Sequence, residues 1–106
     1  MSRRSVRRAR RETSRALSGF IVTWDVDSGN LVQCTRVRRF IVGHTVSTNG
    51  KTYHYSGFVE HEGVRYLGQS VLFVPPDQLD LLREFLRSNG VEHVTSEATM
   101  GRILSN

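Results

Sequence analysis

The chain has 106 residues, with 15 Lys+Arg against 10 Asp+Glu for a formal net charge of +5. That length suits one compact domain, and 38% apolar with 24% charged residues is too apolar and mixed for a fully disordered chain. A single cysteine, Cys34, excludes an internal disulfide and a thiolate zinc site and suits a reducing, cytoplasmic compartment, while no apolar run approaches the roughly 20 residues of a membrane-spanning helix.

The charge is unevenly placed. Residues 1–20 hold seven arginines (Arg3, Arg4, Arg7, Arg8, Arg10, Arg11 and Arg15) and one acid, Glu12, a balance of +6; residues 21–106 balance at −1. The expected organisation is therefore an arginine-rich arm over 1–19 and a near-neutral domain over 20–106. If helical, the arm sets guanidinium groups three and four residues apart on one side, where they repel. It would order only against a polyanion or an acidic surface. No apolar segment follows its charges as in a secretory signal, although an organelle transit peptide has a similar composition. Leu17-Ser18-Gly19 reads as a hinge.

Phe20 to Asp27 is a β-branched and aromatic run closed by Ser-Gly-Asn, which predicts a strand and turn. Alternation sets Phe20, Val22, Trp24 and Val26 on one face and Ile21, Thr23, Asp25 and Asp27 on the other. Asp27 or Ser28 is placed to cap a helix in which Leu31, Cys34, Val37 and Ile41 form an apolar stripe beside Arg36 and Arg39, with Gly43 as its stop. Val37 and Phe40-Ile41-Val42 fit a strand equally well. Asn49-Gly50 signals a tight turn. Thr52–Val59 alternates as a strand, Glu60–Gly63 turns, and Val64–Val74 reads as a longer strand whose continuously apolar end suits burial on both sides. Pro75-Pro76 stops it. Asp77 then opens a helix with Leu79, Leu82, Phe85 and Leu86 on its buried face, ended by Asn89-Gly90. Val91–Thr95 is a short last strand, followed by a tail. The expected fold class is α+β, a ferredoxin-like β-α-β-β-α-β order with an antiparallel sheet and two helices on one face.

With these elements in place, Val22-Thr23-Trp24-Asp25-Val26 resembles the first strand of the small CRISPR-associated adaptation protein family, the ferredoxin-like partner of the spacer integrase. Arg36-Val37-Arg38-Arg39-Phe40 is similar to that family's basic first helix. Val64–Phe73, followed by Pro76-Asp77-Gln78-Leu79, resembles its Gln-x-Ser-Val-Phe strand and the helix after it. The likeness spans about residues 20–95. His44–Gly63 departs from the family as a hairpin-like insertion, and so does the arm before the first strand. The resemblance implies a homodimer formed through the sheets, an integrase subunit as a partner and a DNA duplex held along a basic face. It also implies, for some members, Mg²⁺-dependent nuclease activity at the position of Asp25.

The residues permit other readings. Asp25 and Asp27, two apart at a strand end, could share Mg²⁺ through oxygen ligands, or they could simply cap the next turn. Tyr53 and Tyr55 share a face, with Tyr66 expected on the partner strand, an arrangement that can stack bases or serve packing alone. His54 is expected among strand side chains, and His61 on an exposed turn. The arm is the most specific signal, because clustered arginines gain from counterion release on phosphates. Three functions follow as expectations. The first is a nucleic-acid-binding subunit of an integration or defence assembly, with DNA favoured over RNA. The others are a metal-dependent endonuclease using Asp25, and a viral or ribosomal packaging protein with a basic arm.

Overall fold

A computed structural model describes residues 17–101. In chain order these form β1 (Leu17–Asp25), α1 (Leu31–Val42), β2 (His44–Thr48), β3 (Lys51–Tyr55), a 3-10 turn (Phe58–Glu60), β4 (Arg65–Gly68), β5 (Val71–Val74), α2 (Pro76–Ser88) and β6 (Glu92–Met100). Four strands make one sheet in the order β4-β5-β1-β6, with every neighbouring pair antiparallel, while β2 and β3 make a separate two-stranded sheet. The protein is thus mixed α+β. No helix among the described residues is long and apolar enough to cross a membrane.

The alternation of β1 sets the layers. Phe20 lies opposite Val74 and Val22 opposite Leu72, so these side chains share a face. Val37 and Ile41 of α1 and Leu79, Leu82 and Leu86 of α2 pack on it in one cluster with Trp24. Both helices therefore cover the same side of the sheet. Phe73 points the other way, yet is only 1% exposed. Its ring lies over Gly19, where a Cβ would come within 2.6 Å of it. As its run of apolar residues predicted, β5 is buried on both faces.

The helix ends follow local chemistry. Asn30, not Asp27 or Ser28, caps α1, its Oδ1 accepting the Gln33 amide at 3.0 Å. Residues 40–42 continue the helix, because Val37 and Ile41 then fall on its buried side and Gly43, at φ +83°, ends it. In α2 a proline occupies the first turn with Asp77, and Arg87 lies in the last turn, each favoured by the helix dipole or its free N–H groups.

Four expectations change. Leu17-Ser18-Gly19 is no hinge; it belongs to β1 and pairs with Met100, Thr99 and Ala98. For the same reason the last strand is nine residues long and not a short strand with a tail. Val64–Val74 is two strands: Ser70, at φ +65°, turns the chain and the β4–β5 ladder slips between Tyr66 and Gly68. The expected pairing of Thr52–Val59 with Val64–Val74 does not form. Instead β3 ends at Tyr55 and pairs with β2 through a turn in which Asn49 and Gly50 both have positive φ, the combination a tight hairpin turn needs. All five residues of β3 are exposed, so no buried face specified its partner.

The hairpin leaves and rejoins the domain at one point. A Cβ on Gly57 would lie 2.4 Å from the Gly43 nitrogen and 2.3 Å from the Val42 carbonyl carbon. Beyond it Phe58, 2% exposed, re-enters the core and stacks 5.6 Å from Phe40, which itself lies 3.8 Å from Phe85. Gly57→Ala should therefore destabilise the fold by about 1–3 kcal/mol in urea unfolding, because backbone must move to admit the methyl. Gly50 has nothing within 4 Å of its Cβ position, so Gly50→Asn meets no clash and should cost only about 0.5–1 kcal/mol, the strain of its positive φ in a residue type that tolerates it.

Candidate nucleic-acid interface

Arg3, Arg4, Arg7, Arg8, Arg10, Arg11 and Arg15 lie outside the described residues. The other two arginines expected to meet phosphate, Arg36 and Arg39, stand exposed on α1. Three residues apart, they share a stripe of the helix. Arg38 lies about 100° round from Arg39 and faces a cleft beside the β4–β5 turn. No acid interrupts α1, so it presents three guanidinium groups within four residues. By contrast, α2 carries Asp77, Asp80 and Glu84 with Arg83 and Arg87, and Arg87 is already paired with Glu84.

The two aspartates separate. β1 ends at Asp25, so strand alternation does not carry on to Asp27. Asp27 is a turn residue: its Oδ1 accepts the Gly29 amide at 2.9 Å, and its carbonyl accepts the Asn30 amide at 2.9 Å. The acidic neighbour of Asp25 is instead Glu92, directly across the β1–β6 ladder. Sequence reading missed Glu92 because nothing local foretold that β6 would pair in this register. Among the described residues no group of three His, Cys, Asp or Glu side chains is placed to hold a metal ion.

The cleft lies between α1, the end of β1 and the β4–β5 turn and has a volume of about 770 Å³. Leu31, Thr35, Arg38 and Val42 form one wall at helical spacing, and Tyr66 of β4 with Gln69 and Ser70 of the turn lies across from them. Trp24, Val37 and Ile41 also line it, and Asp25 stands at the end of β1. The three tyrosines do not share a surface. Tyr53 and Tyr55 lie on the hairpin, whereas Tyr66 belongs to the main sheet. Tyr55 stacks at 4.8 Å on His44, its cross-strand neighbour.

The remaining histidines hold structure together. His61 is half-buried, not exposed on a turn: its Nδ1–H donates to Gln78 Oε1 at 2.8 Å, and its ring lies 4.9 Å from Phe58. His93 Nδ1–H donates to the Val91 carbonyl at 3.0 Å. His54, on the hairpin, reaches Glu60 at 3.5 Å. Glu60 in turn accepts the Gly57 amide at 3.0 Å, fastening the neck of the hairpin. That amide above all, with lesser help from His54 and His61, holds the Glu60 carboxyl below the usual carboxylate range.

No protein-family model matches the chain, and no curated protein or solved structure matches it.

Asp27→Ala should lower stability by about 0.5–2 kcal/mol in thermal unfolding, since it leaves the Gly29 amide without its acceptor. Asp25→Ala should be neutral or slightly stabilising, because it relieves a like-charge pair across the ladder. Because folding depresses the Glu60 pKa, its contribution is full above the ordinary carboxylate pKa and is lost as pH falls through the lower folded value. In an NMR titration the Gly57 amide shift should follow that low pKa, and Glu60→Gln should flatten the curve.

Proposed function

We propose that this protein is a nucleic-acid-binding subunit of an integration or defence assembly, a dimeric scaffold that contacts the phosphate backbone. The observation that carries this reading is the arm, seven arginines within the first fifteen residues against a single acid. Such a segment gains affinity from released counterions whatever the base sequence. The exposed pair Arg36 and Arg39 continues the cationic character onto the folded domain.

We also propose that the domain is ferredoxin-like. The order β4-β5-β1-β6, with both helices on one face, supports this if the β2–β3 hairpin is an insertion between α1 and β4. Membership of the CRISPR adaptation family then rests on the short motifs of β1, α1 and the β4–β5–α2 segment, which favour DNA, a homodimer and an integrase partner. A non-catalytic role fits better than a nuclease. With Asp27 committed to its turn, Asp25 and Glu92 are the carboxylates left at that strand end, so a nuclease would have to do without the expected Asp25–Asp27 pair and draw the rest of a Mg²⁺ shell from waters and substrate phosphate.

Removal of residues 1–16 should weaken duplex binding steeply and reduce the log–log salt slope by about 0.9 for each phosphate that the arm had neutralised. Arg36→Gln with Arg39→Gln should take a further one to two units, uniformly across sequences. Binding and salt slope unchanged by the truncation would sink the proposal. Mg²⁺-dependent cleavage that disappears in Asp25→Ala, with binding retained, would establish the nuclease in its place.

A further inference from the structure

We infer that the cleft between α1 and the β4–β5 turn binds one unpaired nucleotide, with its base against Tyr66 and its phosphate on Arg38. This rests on the nucleic-acid reading, which needs only backbone contacts, and deepens it by adding a site for a base. The volume of about 770 Å³ falls within the range of small-ligand sites. Its character matches the two halves of a nucleotide. The apolar part is unusually open: Leu31 is 74% and Tyr66 58% exposed, surfaces that a flat, partly apolar base would cover. Tyr66 sits opposite Leu72 in the β4–β5 ladder, so it rises from the helix-covered face of the sheet towards α1. An aromatic ring in that position offers a stacking platform to any base.

The polar part is specific in charge. Arg38 projects into the same cleft from the middle of α1 and makes no ion pair with a described residue. Its guanidinium presents paired N–H donors that match phosphate oxygens. Gln69 and Ser70 at the turn, and Asp25 at the end of β1, supply donors and acceptors for the edge of a base. A purely apolar peptide would cover Leu31 and Tyr66 but leave the Arg38 guanidinium without a counter-charge, which is costly. A nucleotide satisfies both halves. The site also lies beside Arg36 and Arg39, so a strand tracked by the outer stripe of α1 could turn one base inward.

Titration of the isotope-labelled full chain with deoxyadenosine monophosphate, followed by NMR, tests this. The Trp24 indole N–H and the amides of Arg38, Tyr66 and Gln69 should shift saturably. Tyr66→Ala and Arg38→Gln, each checked for an otherwise unchanged spectrum, should weaken binding by about tenfold. Adenosine without its phosphate should bind more weakly than the nucleotide to the wild type, and equally with it to Arg38→Gln. Shifts confined to residues 1–16 would overturn the cleft site while leaving the phosphate-binding arm intact. Cleft shifts in a protein whose duplex affinity ignores the arm would overturn the arm instead. Absence of any nucleotide-dependent shift, or cleft shifts that follow protein concentration alone, as for a second copy, would end the proposal.

Discussion

The backbone contact between Gly43 and Gly57 leaves no room for a Cβ on either residue, and it joins the two ends of the excursion over residues 44–56 that carries β2 and β3. Because the ends meet, the excursion costs the domain nothing in continuity. Ile41 enters the core just before the neck and Phe58 just after it. Without that close approach, the chain after α1 could not return at the level of Phe40, and the aromatic stack of Phe58, Phe40 and Phe85 that ties α1 to α2 would lose its end member. Glu60 reinforces the same point by holding the Gly57 amide. An exposed two-stranded hairpin is marginal alone, and here its base is bolted to a core it does not otherwise enter.

That arrangement frees the main sheet to be short and closely packed. β1 and β5 occupy its middle, with Val22, Leu72 and Val74 fully buried beneath the helices. β6 pairs with every residue of β1, which doubles the ladder expected from the apolar pattern. The extra pairs involve Glu97, Thr99 and Ser96, residues whose place in a strand comes from the neighbour's hydrogen bonds and not from burial.

The parts that were legible in the sequence are those where burial and local chemistry agree. The helix over Leu79, Leu82 and Leu86, the stop at Gly43, the Asn49-Gly50 turn and the inward set Val22 and Trp24 all carry a periodicity or a backbone requirement of their own. The parts that misled lack one. Val64–Val74 alternates well enough to pass for one strand, and only the positive φ of Ser70 reveals the turn inside it. Serine is not a residue that announces such a conformation. Lys51–Tyr55 has strong strand propensity but no buried side, so its partner had to be learned from the fold. At the site, the exposure of Arg36 and Arg39 could be read from helical spacing, whereas the Asp25–Glu92 juxtaposition and the Tyr66–Arg38 cleft depend on registers and crossings that join residues far apart in the chain.

Charge divides the same way at two scales. The whole chain owes its +5 to the first twenty residues, while the remainder is nearly neutral. Within the remainder the two helices differ again: α1 has three arginines and no acid, and α2 has more acids than arginines. Since both helices lie on one side of the sheet, that side is cationic along α1 and near neutral to acidic along α2. A polyanion guided by the arm would be drawn to the α1 edge in preference to α2. The geometry of a single helix then sorts the contacts. Arg36 and Arg39 stand on the outer stripe of α1, and Arg38, also exposed, lines the cleft beside Leu31 and Tyr66. Arg38 and Arg39 thereby turn their cationic groups in directions about one hundred degrees apart on one helix, so that the cleft and the outer stripe would each offer a phosphate its own contact.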